Sequence, residues 1–256
     1  MIELNHHSAC VLPWYQTESD IWVMVEQKDA GFRHPYFDNG LNFLGGNWKK
    51  GQDSDESPLD LAIREIGEEF WLTADAHEST NALLGQEFLK GDQSDTGAHD
   101  EKPEDRIKDL GRMLQQGLSS GGNYIVTVSP PIADPRVVYA NSVFLRQLST
   151  KEYLDARRIV DGFYGKITTD NHRRDNKTVF VALDQINGEN MKFAWGYGKI
   201  LNEIIRAGYL PVTESIIRPL AQIGVEQMLL PGGVSKRPSG ILTFDGVEKA
   251  GYSYRE

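Results

Sequence analysis

Apolar residues recur at helical spacing in the segment ESPLDLAIREIGEEFWL, residues 56–72. At about 3.6 residues per turn they fall within one arc of about 100°, which is the stripe of a helix packed on a core. Ser57 suits the N-cap of this helix, and Pro58 suits its first position. The stripe consists of Leu59, Ala62, Ile63, Ile66 and Phe70.

Other segments rich in Val, Ile and aromatic residues, bounded by turn residues, predict strands. These segments are 8–15, 20–27, 123–129, 137–148 and 178–183, and the Leu-rich segment 82–90 is also expected to form a strand. Asn39-Gly40 predicts a turn leading toward Gly45. Helices are predicted over 151–158 and from about 189 to 207.

A polar, acidic stretch at 91–105 interrupts this pattern and is typical of an insertion outside the core. Ile107, Leu110, Leu114 and Leu118 follow at helical spacing, and Gly117 is expected to cut that helix short. Its apolar stripe fits three roles: covering the main domain, acting as a lid, or contacting another subunit. Farther on, 212–230 has a helical pattern, and 240–254 predicts a hairpin that turns at Asp245-Gly246.

The 256-residue chain has 39% apolar and 25% charged residues and a net charge of −10. This charge disfavours non-specific binding to nucleic acid or to anionic membranes. Cys10 is the single cysteine, which excludes an internal disulfide and a zinc site made of thiolates. We expect it to be a small buried residue of the first strand. No signal-like or membrane-spanning apolar run is present, so we expect a cytoplasmic protein.

Glu65, Glu68 and Glu69 share an arc of about 100° next to the apolar stripe of the first helix. At about 6 Å and an effective dielectric near 20, each like-charge pair costs about 3 kcal/mol if partly buried. Two interpretations follow. The carboxylates lie on a solvated face where the repulsion is screened, or they hold a divalent cation.

The residues around these carboxylates resemble the Nudix box, G-x5-E-x7-R-E-U-x-E-E-x-G-U, where U is aliphatic. Arg64 to Glu69 reads REIGEE, Glu56 stands eight residues before Arg64, and Gly45-Gly46 matches the paired glycines that open the box. Two departures are visible. The spacer between Gly46 and Glu56 has nine residues, where the motif has five, and Trp71 occupies the late glycine position.

The resemblance implies an α/β fold, specifically the Nudix-type α/β/α sandwich with a mixed β-sheet, plus an inserted polar loop and helix and a C-terminal extension. On this basis we expect a Nudix hydrolase domain over 1–209, with the insertion at about 91–121. Residues 210–256 would form an extension packed on the same domain.

The resemblance also implies a metal site. Glu65, Glu68 and Glu69 would hold the cation, with the carbonyl of Gly46 as a further ligand. Hard oxygen ligands without nearby Cys or His favour Mg²⁺, or Mn²⁺, over zinc.

As the resemblance implies, Arg64 would orient the carboxylates, Glu56 would support that network, and Glu65 would act as general base. Arg173 and Arg174 form a concentrated basic spot in an acidic chain, where guanidinium groups could bind substrate phosphate. A solvated loop explains these arginines equally well.

The expected function is therefore magnesium-dependent cleavage of the diphosphate linkage in a small-molecule nucleotide substrate, such as a nucleotide sugar or ADP-ribose. Members of the family frequently pair, so a homodimer is one expected assembly. Trp71, the longer loop and the extension leave open a nucleotide-sensing domain without hydrolysis. An RNA 5′-pyrophosphohydrolase is a third hypothesis, which the acidic balance of the chain disfavours.

Overall fold

The computed structural model describes residues 2–29, 39–47, 58–72, 103–119, 124–129, 138–163, 167–168, 176–187, 193–194, 197–212, 241–242 and 252–254. The Val- and Ile-rich segments form strands, and the segments with helical spacing form helices. The strands are β1 (Ile2–Gln16), β2 (Ile21–Lys28), β3 (Leu41–Asn42), β4 (Leu44–Asn47), β5 (Trp71–Leu72), β6 (Tyr124–Ser129), β7 (Val138–Gln147), β8 (Ile167–Thr168), β9 (Asn176–Ala182), β10 (Ile241–Leu242) and β11 (Tyr252–Tyr254).

Strand β1 is the centre of a mixed nine-stranded sheet. Along one edge it pairs in parallel with β7, which is followed by the antiparallel strands β6 and β10. Along its other edge it pairs in succession with β11, β4 and β2. Strand β2 also pairs with β3 and β9. The segment that contains β3 and β4 therefore changes partner, because β3 pairs with β2 and β4 pairs with β1. A separate small sheet joins β5 and β8.

Helices cover both faces of the large sheet. They are α1 (Pro58–Glu68), α2 (Pro103–Ser119), α3 (Thr150–Gly162) and α4 (Tyr197–Arg206). Alternate residues of β1 point to opposite faces. Cys10 and Leu12 join a core with residues of α4, whereas Ala9 and Val11 join a core with residues of α1, α2 and α3. The expected α/β class with a mixed sheet is therefore confirmed.

The structure selects one of the three roles considered for α2. Ile107, Leu110, Leu114 and Leu118 are all buried in the core on the α1 side, so this helix covers the main domain. The expectation that Gly117 ends the helix was wrong, because α2 continues to Ser119. A β-carbon at position 117 would collide with the guanidinium group of Arg146.

One other expectation was also wrong. The last helix was expected from about residue 189, but α4 begins at Tyr197, because Phe193 forms a bridge with Leu41 and packs against the ring of Phe43. The expected hairpin over 240–254 has its turn at Asp245-Gly246 outside the described residues, so it stays a prediction; the described strands there, β10 and β11, pair with β6 and β1.

Some expectations lie outside the described residues, namely the strand over 82–90, most of the acidic stretch at 91–105, and nearly all of the 212–230 segment. The division into a domain over 1–209 and an extension over 210–256 stays a prediction. In the part of the chain that the structure describes, no helix has the length and apolarity needed to cross a membrane.

Candidate functional site

Helix α1 directs one carboxyl group into the core. Its fully buried residues include Leu61, Ala62 and Ile66, whereas Ile63 is half-buried. The predicted stripe therefore had the correct period but was centred too far toward Ile63. Glu69 continues the helical hydrogen bonding, with its N–H 3.0 Å from the carbonyl oxygen of Glu65. Seven residues make nearly two full turns, so Glu69 lies almost in line with Ala62 and is buried.

The helix ends without the glycine that the motif places at position 71. Phe70, one residue earlier, adopts the left-handed conformation with φ of 62° and is buried. Glycine usually supplies this conformation after a helix, because other residues are strained there. A non-glycine residue in this region costs about 1–3 kcal/mol, so contacts of the Phe70 ring must offset the strain.

Gly45 holds the carboxyl group of Glu69 from the sheet side. Its backbone N–H donates a hydrogen bond of 2.9 Å to Oε1 of Glu69. Gly45 has φ of 132°, and a β-carbon here would collide with the carbonyl oxygen of Ala9 on β1. The close approach of β4 to β1 therefore requires glycine at this position.

Gly46 lies directly beside Glu65. A β-carbon at position 46 would overlap the carboxyl group of Glu65, so glycine leaves the space that this group occupies. Arg64 contacts two of the three candidate carboxylates, with Nη2 at 3.0 Å from Oε1 of Glu65 and Nη1 at 3.1 Å from Oε2 of Glu68. The side chain of Glu68 is 62% exposed and that of Glu65 is 18% exposed. The three carboxylates are therefore in three different environments.

Burial raises the pKa of Glu69 to about 8. The Gly45 N–H lowers this pKa, nearby Glu65 raises it, Lys28 lowers it, and Glu68 raises it. Oε2 of Glu69 is buried and has no hydrogen-bond partner in the part of the chain that the structure describes. A buried acceptor oxygen without a donor is costly, so this oxygen favours the approach of a cation or a donor group.

The sheet beside Glu69 carries a cluster of buried polar side chains that the sequence analysis did not predict. Glu26 and Lys28 form a buried ion pair on β2. Asn42 and Thr178 lie directly opposite Glu26 on the two flanking strands. Their side-chain oxygens Oδ1 and Oγ1 are buried and have no hydrogen-bond partner among the residues that the structure describes. The signal was present in the sequence, because Glu26 and Lys28 share the face of β2 that buries Met24.

The carboxyl groups at the end of α1 differ in how well they fit a divalent cation. Among the described residues, no three His, Cys, Asp or Glu side chains converge to hold an ion. However, Glu65 and Glu69 present oxygen ligands beside Gly45-Gly46, and one of these oxygens is buried without a partner. Oxygen ligands are those that Mg²⁺ and Mn²⁺ prefer, so the donor set fits such an ion.

Three of the predicted site residues, Glu56, Arg173 and Arg174, lie outside the described residues. Cys10 is described and is buried as expected. Burial raises the pKa of its thiol to about 12, and its Sγ lies 3.0 Å from the hydroxyl oxygen of Tyr197. Since the thiolate is the reactive form, Cys10 is not a nucleophile at neutral pH.

Fold and site together define an α/β protein in which the end of a helix brings two carboxyl groups against a pair of glycines on a strand. This chain matches no protein-family model and no curated protein. Among solved structures it is similar to the crystal structure of a NUDIX hydrolase from Alicyclobacillus acidocaldarius, with 15% sequence identity and a TM-score of 0.34. That match covers 86% of this chain and 97% of the other. Identity and TM-score at these values assign neither family nor activity.

Proposed function

We propose that this protein is a Nudix hydrolase that uses Mg²⁺ or Mn²⁺ to cleave the diphosphate linkage of a nucleoside diphosphate derivative. The observation that carries the proposal is the position of Glu69. Its carboxyl group is buried and is held through Oε1 by the Gly45 N–H, and its Oε2 has no hydrogen-bond partner among the described residues. Most buried polar atoms have a hydrogen-bond partner, so the open Oε2 beside Glu65 and Gly46 supports a role in binding a cation.

Glu65, Glu69 and the carbonyl of Gly46 would hold the cation, and Glu68 would complete the set by turning inward from its exposed position. When bound, the metal would acidify a water molecule and neutralise charge on the displaced phosphate. Two residues that match the Nudix box, Glu65 and Glu69, lie beside the paired glycines Gly45 and Gly46, which match it as well. This agreement between sequence and position supports the assignment.

Arg64 orients the site in this proposal. Its two terminal nitrogens contact Glu65 and Glu68, so one guanidinium group limits the rotation of both carboxylates. Glu65 is the proposed general base, because it is half-buried beside Gly46 and its carboxylate can accept a proton from water. Glu56 is proposed to support this network, and Arg173 and Arg174 to bind substrate phosphate.

The proposed substrates are small nucleotides such as a nucleotide sugar or ADP-ribose. Products should be measured across a panel of such compounds with Mg²⁺ and with Mn²⁺. Glu65→Gln should lower the rate by at least about 10²-fold, since a positioned base contributes that much. Glu69→Gln should lower it similarly, because it removes a proposed ligand of the cation that acidifies the water. Glu18→Gln, in the exposed turn between β1 and β2, is the matched control and should leave the rate unchanged. Failure of the wild-type protein to cleave any compound would contradict hydrolysis.

A second candidate function is nucleotide sensing without hydrolysis. The position of Glu68 favours this candidate, because its exposed side chain is directed toward Arg64 and does not converge with Glu65 and Glu69. Equilibrium binding followed by chromatography of the bound nucleotide separates the two candidates. Recovery of intact nucleotide after long incubation with Mg²⁺ would support sensing, whereas recovery of cleaved products would support the hydrolase.

A further inference from the structure

Helix α2 contacts α1 on the side opposite to the candidate carboxylates. Residues two apart on a helix point about 160° away from each other, so Gly67 faces away from both Glu65 and Glu69. Gln115 of α2 lies against Gly67, where a β-carbon would collide with its side-chain nitrogen. The end of α1 is therefore held between β4 on one side and α2 on the other.

Gln115 makes a specific contact at this crossing. Its Nε2 donates a hydrogen bond of 2.7 Å to the carbonyl oxygen of Ile63. Gly67 is the next-to-last residue of α1. Because it has no β-carbon, it leaves the space that the Gln115 side chain occupies when it reaches the backbone of α1.

A second glycine brings α2 against the exit of α1. A β-carbon at Gly111 would lie 3.3 Å from the carbonyl oxygen of Ile66 and 3.3 Å from Cδ2 of Phe70. Phe70, whose backbone adopts the left-handed conformation, directly follows Glu69. Helix α2 thus contacts the chain both before Glu69 and after it.

We propose that α2 is a clamp that fixes the end of α1, and that Gln115 is a positioning residue for Glu69. Glu69 lies just beyond the last helical residue, and the residue after it is strained. A contact from outside α1 is therefore needed to keep its carboxyl group against Gly45. The part of this proposal that concerns metal binding rests on the proposed function, whereas the clamping of α1 does not.

The test compares Gln115→Ala with Gln116→Ala, a matched control at the next position, where the side chain is exposed. The first measurement is amide hydrogen exchange over residues 63–70. We expect faster exchange there in Gln115→Ala and wild-type exchange in Gln116→Ala. Unchanged exchange in Gln115→Ala would overturn the clamp, whatever the protein binds.

The second measurement is Mn²⁺ affinity by calorimetry on the same variants. We expect Gln115→Ala to weaken binding about 10-fold, as removal of an outer contact to a metal ligand typically does, with melting temperature within a few degrees of wild type. Faster exchange with unchanged Mn²⁺ affinity would overturn the positioning role. If the wild-type protein takes up no Mn²⁺, the proposed function fails and exchange alone decides the clamp.

Two further variants separate the hydrogen bond from packing. Gln115→Met keeps the side-chain volume but removes the donor, so it should reproduce the effect of Gln115→Ala. Gly67→Ala should displace Gln115 without any change in α2, and adding Gln115→Ala to it should have little further effect. Additive effects in the double variant would show that the two residues act separately, contrary to the clamp.

Discussion

At the residue scale, the site depends on a carboxyl group that is buried before any ligand arrives. Glu69 lies between the apolar residues of α1 and the backbone of β4, and within the described part of the chain a donor reaches one of its two oxygens. Burial raises its pKa to about 8, opposed by the Gly45 N–H and then reinforced by Glu65. Between about pH 4.5 and pH 8, the folded protein therefore keeps a proton on the Glu69 carboxyl group that the unfolded chain has lost.

Replacement of Glu69 should change how stability depends on pH. The unfolded carboxyl group titrates near 4.5 and the folded one near 8, so the free energy of unfolding falls as pH rises between these values. The slope is about 1.4 kcal/mol per pH unit for one proton. Glu69→Gln lacks this slope, so it should gain stability relative to wild type between pH 5 and pH 8. Urea unfolding with a chelator present checks this, and parallel pH profiles would contradict it.

The buried pair of Glu26 and Lys28 gives a second prediction at this scale. Lys28→Met leaves the charge of Glu26 buried without its partner, which typically costs about 3–5 kcal/mol. Adding Glu26→Gln should recover much of the loss, because no buried charge then remains. Lys177→Met is the control, since Lys177 lies 3.9 Å from the partly exposed Asp29. The free energy of unfolding should be measured with urea. Equal losses of stability in Lys28→Met and in Lys177→Met would contradict the claim that Lys28 neutralises a buried charge on Glu26.

At the element scale, periodicity in the sequence predicted which segments become helices but not all of their limits. The stripes of α1 and α2 were visible because 3.6-residue spacing is local information. The buried arc of α1 is nevertheless centred nearer Leu61 than the stripe indicated, because the position of β4 decides which side faces the core. Likewise, the start of α4 depends on Phe193 packing against Phe43, which is distant in sequence.

The beginning of α3 carries a capping box that is testable by itself. Ser149 accepts a hydrogen bond from the N–H of Glu152, whose carboxylate accepts one from the Ser149 N–H and also binds Arg146. Burial would raise the pKa of Glu152, but these hydrogen bonds and the charge of Arg146 together hold it below its ordinary value. Glu152→Gln keeps an acceptor for the Ser149 N–H but loses the charge that pairs with Arg146, so it should cost up to about 1 kcal/mol at neutral pH.

The sign of the pH effect follows from this lowered pKa. The contribution of the Glu152 carboxylate is present above the ordinary carboxyl pKa and is lost as pH falls through the folded value. The difference in stability between wild type and Glu152→Gln should therefore shrink in acid. Asp155→Asn on the same helix is the control. A difference that stays constant between pH 7 and pH 3 in thermal unfolding would contradict the role of the charge.

At the scale of the whole molecule, the site lies where the chain changes its pairing partner, since β3 pairs with β2 and the following strand β4 pairs with β1. This change of partner brings Gly45 and Gly46 to the end of α1, although Glu69 is 24 residues beyond Gly45. The sequence could indicate Gly46, Glu65 and Glu69 because they match a motif. It could not indicate that Glu68 turns outward, because that orientation depends on tertiary packing.

The same limit explains why the partners of β10 and β11 were not predicted. These short strands pair with β6 and β1, which are distant from them in sequence. Long-range pairing of strands leaves no local pattern in a single sequence. The polar residues on β2 were similarly overlooked, because their burial depends on the strands and helices that cover them.

Calorimetric titration with Mn²⁺ and Mg²⁺ is the most direct test of cation binding at the end of α1. Wild-type protein should bind, Glu69→Gln should bind at least about 10-fold more weakly, and the exposed control Glu18→Gln should match wild type. Absence of uptake of either ion by the wild-type protein, or equal affinity in wild type and Glu69→Gln, would contradict a cation site at Glu69.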